Sequence, residues 1–209
     1  MRKFLLALPA ICLALVPLAA KADPVLTFNF SEGGGQVGPY NMTLTPPGST
    51  LDLLCLNFND TINKGESWTV AIVNGANLST NPLTVTSSTL IKEYEEEAFI
   101  FSKYLGGPAT AQNTIDVQDA LWDVFDSGAP TDPQATTWLS QAAAFTYTNT
   151  FLSGFNFYIY DGGTVTGGTS TVPQNFIGDA PVPEPSTLMM LGTGLTALAG
   201  FARRKLARA

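Results

Sequence analysis

Both ends of this 209-residue chain are apolar and flanked by cations, so only the stretch between them is free to build a water-soluble core. The opening residues read MRKFLLALPAICLALVPLAAKA, with Arg2 and Lys3 ahead of an apolar run from Phe4 to Ala19, then Ala20-Lys21-Ala22. That three-part layout predicts a signal peptide over residues 1–22, read by the Sec export machinery and cut between Ala22 and Asp23. Pro9 and Pro17 oppose a retained helical anchor, because proline lacks an amide donor and disrupts a helix past its first turn.

The other end reads APVPEPSTLMMLGTGLTALAGFARRKLARA. Residues 186–202 carry no charge and are followed by Arg203, Arg204, Lys205 and Arg208. A helix of that length spans ~25 Å, slightly short of a ~30 Å hydrocarbon core, and snorkelling of the flanking arginines covers the gap. It is therefore predicted to be a transmembrane helix, with the cations cytoplasmic and the body outside. Its order of Pro183-Glu184-Pro185, short apolar helix and arginine cluster resembles the PEP-CTERM sorting signal of Gram-negative bacteria. The resemblance implies a transient stay in the inner membrane and removal of the helix by an exosortase that cuts near Pro183-Glu184-Pro185. It further implies release of the body to the cell surface or extracellular matrix.

Between these ends lie 161 residues, about one domain's worth. Lys64, Lys92 and Lys103 face sixteen acids there, a charge of −13 that repels phosphate backbones and argues against nucleic-acid partners. The chain has no histidine, which excludes Ser-His-Asp and Cys-His catalysis and any ordinary zinc site. Cys12 leaves with the signal peptide, so Cys55 is the lone thiol and no internal disulfide can form. EGGGQVG near residue 35 lacks the lysine and spacing of a phosphate-cradling loop, and no cofactor is expected.

Period-two patterning in VLTFNF (25–30), YNMTL (40–44), SWTVAIV (67–73) and GFNFYIY (154–160) predicts half-buried strands. STLDLLCLNF (49–58) reads as a strand buried on both faces. Helical spacing marks LIKEYEEEAFIFSKYL (90–105) and TIDVQDALWDVFDSG (114–128), and Asp132-Pro133 starts a third helix. The fold class expected is mainly β (α+β): an antiparallel sandwich or barrel-like domain over 23–165, with a helical insertion at about 90–145. A Gly/Thr/Pro-rich linker is predicted over 166–182.

Two pieces carry chemistry. LLCLNFND puts Cys55 on a buried strand, and VQDALWDVF puts Gln118 near the start of a helix among apolar residues. Together they resemble the thioester domain of bacterial surface adhesins, where a strand cysteine joins a glutamine in an apolar-Gln-polar-apolar-apolar motif. Val117 to Leu121 fits that motif at every position; Leu56 stands where an aromatic is usual. The resemblance implies that Cys55 and Gln118 bond with loss of ammonia and then acylate a surface amine or hydroxyl. The same residues also read as an inert core cysteine beside an ordinary helix, or as a thiol that pairs between molecules.

Other groupings are weaker. Glu93 to Glu97 with Asp52, Asp60 and Asp161 would suit calcium, though helical glutamates commonly form a solvated face. Trp68, Trp122 and Trp138 would serve as a sugar platform or as core. No carboxylate pair marks a glycosidase. The reading is therefore of an exported, non-catalytic surface or matrix protein of structural or interaction type. A covalent adhesin acting through Cys55 and Gln118 is the alternative, and a carbohydrate- or calcium-binding matrix component another.

Overall fold

The computed structural model describes residues 23–32, 37–126, 128–129 and 132–180. The signal peptide, the sorting motif Pro183-Glu184-Pro185 with its cations, and the predicted transmembrane segment lie outside the described residues. Among the described residues no helix is long and apolar enough to cross a membrane.

Six strands close into an antiparallel barrel: β1 (Val25–Ser31), β2 (Tyr40–Thr45), β3 (Ser49–Cys55), β4 (Ser67–Asn74), β5 (Phe155–Tyr160) and β6 (Phe176–Asp179). Their order around the barrel is β1-β2-β3-β6-β5-β4. The connection from β4 to β5 holds the helices α1 (Ser88–Gly106), α2 (Ala111–Phe125), α3 (Pro133–Ala144) and the single turn α4 (Asn149–Leu152). The capping residues explain the boundaries. Ser87, Thr110, Asp132 and Thr148 each accept a first-turn amide, and Pro133 stands where its missing N–H costs nothing.

Strand alternation divides the core in two. On β3, Leu53 and Cys55 point into the barrel, with Leu26, Tyr40, Met42, Trp68, Tyr158 and Phe176. Leu54 and Leu56 point outward and pack, with Val73, Phe157 and Ile177, under Tyr94, Ala98, Phe101, Val117 and Leu121 of the helices. Each fully buried large side chain contributes about 2–3 kcal/mol by removal from water. Trp122 of α2 crosses this division and packs with the interior set, so α2 lies over one end of the barrel.

Three expectations change. The predicted linker 166–182 contains β6, which pairs with β3 through Leu54 and Cys55 and with β5 from Phe155 to Tyr158. Without it the barrel would stay open between those strands, so the domain runs past 165 to at least Asp179. The strand predicted as buried on both faces is so only at Leu53 to Leu56, while Ser49 to Asp52 remain partly or fully exposed. Within the glutamate run on α1, Glu97 is fully buried rather than part of a solvated face.

Candidate functional site

The strand β2 begins at Tyr40, opposite Leu53, so Cys55 lies two residues beyond its last partner on that side of β3. On the other side, β6 is present and Leu56 donates its amide to the Asn175 carbonyl at 2.9 Å. The backbone of Cys55 thus has an amide and a carbonyl, both buried, on the side where β2 has run out. The Gln118 carboxamide fills that vacancy. Cys55 N–H donates to Gln118 Oε1 at 3.2 Å, and Gln118 Nε2 donates to the Cys55 carbonyl at 2.6 Å. The pairing also fixes which end of the amide is oxygen, because an N–H requires an acceptor and a carbonyl a donor.

The approach is tight at Gly38. A Cβ there would lie 2.6 Å from Leu54 Cδ2 and 3.2 Å from Gln118 Oε1. Helical spacing does the rest, since Val117 and Leu121 anchor α2 to the outer face of the barrel while Gln118 reaches the end of the strand.

Both residues are fully buried. The Cys55 thiol donates to the Asn57 carbonyl at 3.2 Å. Burial pushes its pKa well up; the Trp122 indole and the Asn57 backbone favour the thiolate more weakly, and the fields of Glu97 and Asp60 oppose it. The indole N–H of Trp122 lies beside the sulfur without reaching full hydrogen-bond geometry, and it has no other partner. The sulfur is accordingly a protonated thiol closed off from bulk solvent.

The chemistry open to this arrangement follows. The oxygen of the carboxamide is held by an amide donor, where negative charge would develop during attack at Cδ, and the nitrogen that would leave is the end bound to a carbonyl. Neither side chain is accessible to bulk solvent.

The remaining candidates do not form a second site. Among the described residues no three acidic or cysteine side chains are grouped to hold a metal. The acids considered for calcium are dispersed: Asp52 accepts from Asn41 Nδ2 and Asp161 from the Thr69 hydroxyl. Trp68 lies inside the barrel and Trp122 beneath its end, both nearly inaccessible, so neither offers a face to a sugar, and Trp138 packs against the helical core. Asp23, the predicted mature N-terminus, is exposed just ahead of β1.

Sequence reasoning missed two buried side chains that carry an unpaired oxygen. Glu97 has neither carboxylate oxygen paired, and burial, with Glu96 and Glu93 adding to it, raises its pKa well above the usual carboxylate range. Gln174 sits two residues before β6, in a stretch whose Gly/Thr/Pro composition pointed to a linker. Its Nε2 donates to the carbonyls of Asn57 (3.2 Å) and Asp60 (2.6 Å), and its Oε1 is buried without a partner.

Comparison with known proteins gives two findings. The PEP-CTERM protein-sorting motif matches residues 181–205, which marks the chain as an exported protein sorted at the membrane. A solved structure, the N-terminal thioester domain of a surface protein from Clostridium perfringens, is similar with a TM-score of 0.44 and 11% identity, covering 75% of this chain and 97% of that one. No curated protein matches the chain. The reading of Cys55 and Gln118 rests on their geometry.

Proposed function

We propose that the chain is a surface protein, processed by an exosortase at its C-terminal motif, whose barrel domain forms a Cys55–Gln118 thioester and attaches covalently to amines. The observation that carries the covalent part is the two-point pairing of the Gln118 carboxamide with the backbone of Cys55 in a fully buried setting.

The chemistry balances without a histidine. The Cys55 sulfur attacks Gln118 Cδ, the Oε1 charge is held by the Cys55 amide, and the C–N bond breaks. The thiol proton leaves with the nitrogen as ammonia. Fixing both groups in one pocket supplies the orientation that a free thiol and amide lack. An incoming primary amine then forms an amide at Gln118 Cδ, and one of its protons returns to the Cys55 sulfur. Export fits this use, since a protein attached once needs no turnover, and the bond explains a lone thiol in an oxidising compartment.

Incubation of the secreted protein with a biotinylated primary amine tests the reading. Label is expected on Gln118, with one free thiol appearing at Cys55 per label, and none on the Cys55→Ala variant. An unlabelled wild-type protein with an alkylatable Cys55 overturns it, and leaves an exported structural protein in which Gln118 only completes the end of a strand.

A further inference from the structure

A cavity of about 300 Å³ opens at the barrel end covered by α2, lined by Phe28, Tyr40, Phe58, Asp60, Trp122 and Gln174, among others. Two of its walls adjoin the reactive pair: Trp122 lies beside the Cys55 sulfur, and Tyr40 pairs across the sheet with Leu53, two residues before Cys55. The chain from Asn57 to Asp60 forms another wall. The Asn57 carbonyl that accepts the thiol proton also accepts from Gln174 Nε2, so the cavity and the thiol share one anchoring oxygen.

Three features define what the cavity holds. The Gln174 amide is locked by two backbone acceptors on its nitrogen, which leaves Oε1 oriented, buried and unpartnered on a residue only 7% exposed. An orphaned buried acceptor costs about 1–3 kcal/mol, a cost that a ligand donor removes. The Asp60 carboxylate accepts no hydrogen bond among the described residues, and Asp126 nearby adds to the negative field. Phe58 stacks at an angle on Trp122, with ring centroids 5.1 Å apart, and is itself 39% exposed, forming an open aromatic flank. An unpartnered acceptor, negative charge and an exposed aromatic flank together select a cation with several N–H groups and an apolar stem. A larger cavity, about 530 Å³, lies beside Gly38, Tyr104 and Thr110, but none of its lining residues has an unpartnered buried polar atom.

We propose that the barrel-end cavity is the acceptor subsite and binds a primary alkylammonium group, its head on Asp60 and Gln174 Oε1 and its stem against the exposed flank of Phe58. Its role as an acceptor subsite rests on the thioester reading; the binding of the cation does not. A lysine side chain or a linear diamine has the required shape, and a body with charge −13 concentrates either near its surface.

The test uses the secreted protein carrying Cys55→Ala, which has no thioester to confuse binding with reaction. Titration with n-butylammonium chloride, followed through the Trp122 indole N–H signal by NMR, is expected to give a saturable shift. Butan-1-ol, of the same shape without charge, should bind at least tenfold more weakly. Asp60→Asn and Gln174→Leu, each added to Cys55→Ala, should each weaken n-butylammonium at least tenfold, with the rest of the spectrum confirming the fold. Absence of a saturable shift, equal binding of the alcohol, or unchanged affinity in the folded Asp60→Asn variant overturns the subsite. A saturable shift together with an unlabelled wild-type protein retains the cation site and removes the thioester.

Discussion

Gln118 and Gln174 are both buried carboxamides beside the segment from Cys55 to Asp60, and they differ in one respect. Gln118 has a partner for each end, supplied by the backbone of a single residue, whereas Gln174 has partners only for its nitrogen. The first arrangement closes a strand end and holds a carboxamide against the backbone of the residue that carries the thiol. The second leaves a buried acceptor without a partner on a residue that lines a cavity. Local satisfaction of hydrogen bonds thus separates the part of the site that would react from the part that would recognise.

Breaking the satisfied member should cost most. Gln118→Ala strands a buried amide and a buried carbonyl and leaves a cavity, so a loss of about 3–5 kcal/mol is expected by chemical denaturation. A loss below about 1 kcal/mol would mean that the pairing contributes little.

The same contrast holds for two fully buried glutamates, Glu66 and Glu97. Burial alone would raise the Glu66 pKa, but donors from the Ser170 amide and hydroxyl and from Asn63 outweigh it and bring it down to about 2. Because its folded value lies below its ordinary 4.5, its contribution is present above 4.5 and is lost as pH falls from there toward 2. Glu66→Gln should cost about 2–4 kcal/mol at neutral pH and flatten the acid limb of the stability profile. An unchanged acid limb would remove Glu66 from that role.

Gln174→Leu should cost less, about 1–2 kcal/mol, since it loses two hydrogen bonds but also removes an unsatisfied oxygen. A loss as large as that of Gln118→Ala would erase the distinction between the two carboxamides. The smallest effect should carry the opposite sign. Glu97, whose pKa is raised by burial and then by Glu96 and Glu93, enters the fold as a neutral acid, so its contribution is full below the ordinary carboxylate value and declines as pH rises above it. Glu97→Gln should therefore raise the thermal midpoint at pH 8 and leave it nearly unchanged at pH 4; a fall at both would contradict the assignment.

Much of the frame was legible in the sequence because caps and periodicity act locally. Asp132-Pro133 starts α3, and the first five strands fall on their alternating or continuously apolar runs. The sixth was not, because Phe176–Asp179 is four residues long and owes its conformation to β3 and β5 on either side, not to its own pattern. Cys55 and Gln118 were identified as a pair from their local motifs, but the means of contact was hidden: it depends on where β2 stops, a property of register. Glu97 and Gln174 were passed over since each lies in a run whose average character, acidic or linker-like, masks the burial of one member.

The intact mass of the secreted protein tests the central claim most directly. The account predicts a mass lower by one ammonia equivalent than the sequence of the processed chain, restored in both Cys55→Ala and Gln118→Ala once their substitutions are allowed for. A wild-type mass matching the unmodified sequence, with Cys55 alkylated in full on unfolding, would contradict it.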